Sequence, residues 1–300
     1  MTDHRIGMIV PSSNLTMETE LPRMLRSREE VRPDDRFTFH SSRMRMKQVT
    51  ADELTKMNAQ TERATLELAD ARPDVVASAC LVAIMAQGAG YHCHAEDEIT
   101  AVLRAEGLDL PVVSSAGALL RGLGALGARR IAMVTPYMKP LTRLVADYIE
   151  DAGIEVVDAL SLEVSDNLEV ARLDPAGLLD HWRQVDVRGA DALVLSACVQ
   201  MPSLPVIGPV EEQAGIPVLS AATATVFTLL SELGLRPHVP GVGHLLSGEV
   251  TMEPAPRPTP DDPAVFVSGV GVNQGPDGGG PVAAIVDLGP GDRTRYRPPG

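Results

Sequence analysis

Short apolar runs recur along the chain, separated by longer stretches in which apolar positions return every three or four residues. The runs cover residues 5–10, 37–40, 74–78, 111–113, 130–134, 154–157, 191–196 and 217–219. They are rich in Val, Ile and Leu, and most are apolar throughout instead of alternating. Continuous apolarity at this length predicts strands buried on both faces, as in a parallel sheet. Helical spacing predicts helices over 51–70, 139–152, 175–187 and 223–233. Thr50 and Glu53 make a capping box for the first, and Pro73 follows its end. Gly153 closes the second. Strands alternating with helices predict an α/β fold built from right-handed βαβ units.

The pattern is written twice. RIGMIVPSSN at residues 5–14 is echoed by RIAMVTPYMK at 130–139. DVVASAC, ending at Cys80, is echoed by DALVLSAC, ending at Cys198. PVVSSAGA at 111–118 is echoed by PVLSAATA at 217–224. Three paired phrases in the same order predict two similar α/β halves related by a pseudo-twofold. The N-terminal half spans 1–127 and the C-terminal half 128–250, with the helix of 221–250 a candidate to complete the first half. Ligands of open parallel sheets bind beyond the carboxyl ends of the strands. The polar residues ending each phrase, Ser12-Ser13-Asn14, Cys80, Tyr137 and Cys198, sit at those ends. If the halves face each other, all of them meet in one interdomain cleft.

Composition narrows the class. The 300 residues are 44% hydrophobic and 22% charged, as expected of a globular protein with a large core. The net charge of -14 disfavours nucleic acid and anionic membrane as partners, since both need a basic face. No apolar run reaches the roughly 18 residues that span a bilayer, and MTDHRIG lacks the features of a secretory signal. The three cysteines, Cys80, Cys93 and Cys198, have no zinc-type spacing and read as reduced thiols of a cytoplasmic protein. From Pro254 to Gly300 the chain has 10 Pro and 9 Gly in 47 residues, so 251–300 reads as a flexible tail with a marginal strand pair at 264–272 and 282–287.

The chemistry points to the thiols. A buried free cysteine is ordinarily a small hydrophobe. Two at equivalent strand ends of a repeated unit read differently. Thiols on opposite sides of a cleft can act as an acid/base pair, or as nucleophile and proton carrier. Turn N–H groups after each cysteine can stabilise a thiolate or hold a carboxylate.

Five stretches carry a likeness: VPSSNLTMETE (10–20), ASACLVAIMAQGAGYH (77–92), VTPYMKPL (134–141), SDNLEVARL (165–173) and LSACVQMPS (195–203). In this order they resemble the aspartate/glutamate racemase superfamily, and within it the maleate cis–trans isomerases, over roughly residues 5–249. The resemblance implies a cofactor-independent isomerase acting on a small dicarboxylate, without metal, nucleotide or flavin, and a homodimer. It implies that Cys80 adds to one alkene carbon as a thiolate, that charge moves into the adjacent carboxylate, and that the central bond rotates before the thiolate leaves. Cys198 is then the partner that exchanges a proton or stabilises the intermediate. Asn14, Tyr137 and Asn167 fall on the positions that hold the carboxylates.

Rival readings stay open at this point. Both thiols suit an amino-acid or hydantoin racemase of the same fold, and an arylmalonate decarboxylase shares the superfamily. A non-catalytic binder of small acids is a reading of another class. Other residues read structurally. His92 and His94 stand two apart, as on one face of a strand, without a third metal ligand at a familiar spacing. Arg43 and Arg45 read as an exposed edge, with a substrate-facing arginine the alternative. Glu211 and Glu212 read as a solvated helix face, and Thr223 and Thr225 as capping residues. Asp277–Gly280 lacks the lysine of a phosphate loop.

Overall fold

A computed structural model describes residues 2–252. The expected strand pair at 264–272 and 282–287, the glycine run at 277–280 and the tail beyond Met252 lie outside the described residues. The first half runs β1 (Thr2–Pro11), α1 (Met17–Val31), β2 (Asp35–Met44), α2 (Ala51–Asn58), α3 (Thr61–Ala69), β3 (Val75–Ser78), α4 (Leu81–Met85), α5 (Tyr91–Ala105), β4 (Val112–Ser114) and α6 (Ser115–Ala125). The second runs β5 (Arg130–Thr135), α7 (Lys139–Asp151), β6 (Glu155–Ser161), α8 (Asn167–Ala171), α9 (Leu178–His181), β7 (Ala192–Ser196), α10 (Ile207–Ala214), β8 (Val218–Ser220) and α11 (Ala221–Glu232).

The strands form two four-stranded sheets, ordered β2-β1-β3-β4 and β6-β5-β7-β8. Every pairing is parallel. The second sheet repeats the first strand for strand, so the repeated phrases are the corresponding strands of two α/β units. All eight expected strands form. β3 and β7 are buried at every residue, which is why they read as unbroken apolar runs.

The helices depart more from expectation. The stretch 51–70 breaks into α2 and α3 at Ala59-Gln60. At the break the Gln60 side chain accepts from Arg45 N–H at 2.9 Å and donates to the carbonyls of Arg45 and Lys56. The amide therefore pairs the backbone that continues β2. Half of the expected capping box forms: Thr50 Oγ1 accepts from Glu53 N–H, while the Glu53 carboxylate turns to the N–H groups of Lys47 and Gln48. The stretch 175–187 contains one α-helical turn, α9, between two 3-10 turns, Pro175–Gly177 and Trp182–Gln184. α11 begins two residues before the expected start, with Ser220 as its cap and Thr223 completing a capping box. Thr225 instead bonds back to the carbonyl of Ala221. Glu211 is not a solvated face: its carboxylate accepts from Val218 N–H at 2.8 Å and His244 N–H at 3.0 Å, tying α10 to β8 and to the segment after α11.

The halves are joined by more than the chain link. α11 leaves the second sheet and packs against α6 and α1, reaching β3 and β4. Gly122 makes the α6 contact possible, since a Cβ there would lie 3.2 Å from the Cβ of Ala224. Arg28 of α1, buried and paired with Asp35, donates to the carbonyls of Arg236 and His238. Among the described residues, no helix is long and apolar enough to cross a membrane.

Candidate active site

The polar strand-end residues gather where the two sheets' carboxyl ends meet. β1 ends at Pro11 and delivers the turn 12–16. Asn14 is buried, and its Oδ1 accepts from Met17 N–H at 2.9 Å, capping α1. That bond fixes which way the amide points and leaves Nδ2 as its donor. Arg43 lies on the edge strand β2 and is exposed, as its sequence reads, but its guanidinium is engaged within the protein. Its guanidinium donates to the carbonyls of Ser12 (2.8 Å) and Asn14 (2.9 Å) and pairs with Glu18, clamping the turn from outside.

Cys80 follows β3 and precedes α4. Its backbone is left-handed, φ 84° and ψ 71°. Only Arg72 and Glu163 share a positive φ among the other described non-glycine residues. The side chain is buried, and burial pushes the thiol up to about 12, with the Ala83 N–H opposing the shift and the charge of Cys198 adding to it. Cys198 holds the equivalent place after β7, without the left-handed backbone. Burial raises its thiol too, but three donors oppose that: the Tyr137 hydroxyl and the N–H groups of Gln200 and Met201. The Gln200 N–H stands 3.4 Å from Cys198 Sγ. Ser196 Oγ, donating to the carbonyls of Cys198 and Met201, holds this turn closed.

Tyr137 follows β5 and is 6% exposed, with its hydroxyl 3.3 Å from the carbonyl of Ala197. Burial and the two nearby thiols hold the phenol well above its ordinary pKa, so it stays a neutral donor. Asn167 opens α8 behind its cap, Asp166, and is buried. Its Nδ2 donates to Ser13 Oγ at 2.7 Å, across the halves.

Cys80, Cys198 and Tyr137 thus lie close enough to shift one another's ionisation, while Asn14 and Asn167 are joined through Ser13. Two members of this neighbourhood carried no warning in the sequence. The side chain of Gln200 ties the turn 12–16 to Asn167. Glu20 of α1 reaches across to accept from Ser203 N–H (2.7 Å) and Leu204 N–H (2.8 Å), just past Cys198. The Tyr91–His94 stretch is helical, not a strand. His92 bonds to Tyr148 and His94 pairs with Glu98, so the two imidazoles part company. Among the described residues no group of three His, Cys, Asp or Glu is placed to hold a metal ion.

A family model described as arylmalonate decarboxylase matches residues 6–246. A maleate isomerase of Geobacillus stearothermophilus is 58% identical over 245 residues, 82% of this chain and 98% of that protein. The chain belongs to the maleate isomerase family. The crystal structure of a Pseudomonas putida S16 maleate isomerase variant with maleate has a TM-score of 0.82 at 53% identity, covering 83% of this chain and 99% of that one. A cysteine-to-serine variant of the Nocardia farcinica maleate cis–trans isomerase has a TM-score of 0.79 at 48% identity, covering 82% of this chain and 98% of that one. That variant carries a covalently bound succinylcysteine intermediate.

Proposed function

We propose that this protein converts maleate to fumarate by reversible addition of a cysteine thiol across the double bond, with Cys80 as nucleophile and Cys198 as its proton partner. The observation that supports this best is the asymmetry between the two thiols. Cys198 has three donors that favour its thiolate, Cys80 one. Cys198 is therefore the thiol more readily held as a thiolate and so available to receive the Cys80 proton, a transfer that is uphill by itself and is drawn forward as the Cys80 sulfur bonds to carbon. Maleate places two carboxylates on the same side of a C=C bond, and rotation requires that bond to become single.

The sequence of events balances without an outside reagent. Cys198 takes the Cys80 proton, and the Cys80 sulfur bonds to one alkene carbon. The π electrons move toward the other carbon and its carboxylate. Cys198 returns the proton to that carbon, giving a succinyl thioether. The central C–C bond, now single, rotates. Cys198 removes the proton again, the C–S bond breaks, and fumarate leaves with the thiol restored. Asn14 Nδ2, the Tyr137 hydroxyl and the Asn167 amide hold the carboxylates as neutral donors, and turn N–H groups supply the rest of the oxyanion site. Fixed lysine or arginine charges would grip both carboxylates through the rotation; neutral donors release one more readily.

The test follows vinyl protons by NMR with purified protein and maleate under reductant. Fumarate should accumulate; its absence would sink the reading. Cys80→Ser should abolish turnover; Cys198→Ser, in which water can still serve the proton transfers of slow addition but nothing takes the proton back from the adduct, should accumulate protein heavier by one maleic acid in intact-mass analysis. We further read the chain as a homodimer of a reducing cytoplasm, each subunit made of halves 1–127 and 128–250; light scattering on the eluting protein checks the stoichiometry.

A further inference from the structure

Gln200 is 2% exposed and lies two residues beyond Cys198. A buried primary amide has to place both protons and its oxygen or pay a desolvation cost. Gln200 places all three. Oε1 accepts from Leu15 N–H at 3.0 Å. Nε2 donates one proton to the carbonyl of Ser13 and one to the carbonyl of Asn167, each at 2.8 Å. Its main chain is engaged as well: the N–H stands at Cys198 Sγ, and the carbonyl accepts from Thr16 Oγ1 at 2.6 Å.

These partners are not a random set. Ser13 and Leu15 flank Asn14, so the amide grips the turn on both sides of that residue. Asn167 comes from the other half. One side chain therefore spans the cleft and fixes three groups against one another. Arg43 holds the same turn from its outer side, so the carbonyls of Ser12 and Asn14 and the groups of Ser13 and Leu15 are all occupied.

We propose that Gln200 is a positioning residue: its side-chain amide sets the spacing of the Asn14 turn, Asn167 and Cys198 on which turnover depends. The proposal rests on the isomerase reading above. A leucine of similar size leaves one N–H and two carbonyls unpaired. A glutamate keeps the shape and the acceptor for Leu15, but when ionised it turns an oxygen toward the carbonyls of Ser13 and Asn167. When protonated it can donate to one of them.

The experiment measures maleate turnover by parent, Gln200→Leu and Gln200→Glu from about pH 5 to about pH 9, a window that brackets a raised carboxyl pKa. Misplacement by a fraction of an ångström should lower kcat/KM of Gln200→Leu about 10- to 100-fold, with kcat falling as well as KM rising. Gln200→Glu should regain activity on acidification, along a limb that the parent lacks; ionisation of Cys198 itself would show in both. Thermal unfolding separates misfolding from mispositioning, and the pH response is read within one folded protein. Parent-like kcat and KM in Gln200→Leu, or a Gln200→Glu profile superimposable on the parent's, overturns the role. A parent that leaves maleate unchanged removes the isomerase reading and this one with it. A working parent beside an unaffected Gln200→Leu removes only the role of Gln200.

Discussion

The left-handed backbone of Cys80 can be weighed against its own repeat. At φ 84° and ψ 71° a side chain with a Cβ crowds the backbone, at a cost of about 1–3 kcal/mol. Cys198 occupies the equivalent place without a positive φ. Replacing each cysteine by Ala and by Gly separates strain from side-chain loss. At a buried, unstrained site, Ala is favoured over Gly by about 0.4–1 kcal/mol of unfolded-state entropy and about 0.8 kcal/mol for the buried methyl. That is the gap expected between Cys198→Ala and Cys198→Gly. At position 80, glycine escapes a strain of about 2 kcal/mol, so the gap should close or reverse. The difference between the two gaps is thus about 2 kcal/mol, several degrees in midpoint for a chain of this size. Thermal or urea unfolding of the four variants under reductant measures it. Equal Ala–Gly gaps at the two sites would refute the claim that Cys80 is held under backbone strain.

Two further outcomes follow from the same geometry. Tyr137→Phe removes a hydroxyl that supports the Cys198 thiolate and should lower kcat on maleate about 100-fold with the fold intact by circular dichroism; a kcat within twofold of the parent counts against that role. Burial raises the Glu20 carboxyl above its ordinary 4.5, so the folded protein keeps a proton that the unfolded chain has already released. The Glu20 contribution to stability should therefore fall as pH rises from about 4.5 through the raised value, and Glu20→Gln should gain on the parent over that interval in urea midpoints. A gain that shrinks with rising pH contradicts the sign.

The sequence disclosed the parts of this protein whose signal is local. A strand covered on both faces can be apolar throughout, and most of the eight strands showed themselves that way; the edge strand β2, where Phe37 and Phe39 alternate with Thr38 and His40, is an exception. The repeated Ser-Ala-Cys phrases marked the thiols for the same reason, since each closes a buried strand. α1 escaped notice because two of its six inward positions are charged, Glu20 and Arg28, and Pro22 lies inside it. α6 escaped because Gly117, Gly122 and Gly124 read as breakers, although Gly122 is there to admit α11. The Gln200 contacts could not be read at all. They join residues more than thirty positions apart, and in the case of Ser13 and Leu15 more than 180 apart. Glu211 was misjudged on the same ground, as its two donors belong to other elements.

The path of α11 bears on how the molecule is made. The faces of α6 and α1 that it covers belong to the first half, but α11 ends at Glu232. A nascent chain that has completed β4 still lacks the helix that seals that surface. The first half therefore cannot finish folding on the ribosome until nearly all of the second half has emerged. An apolar face waits through that interval, and with it the risk of association between incomplete chains.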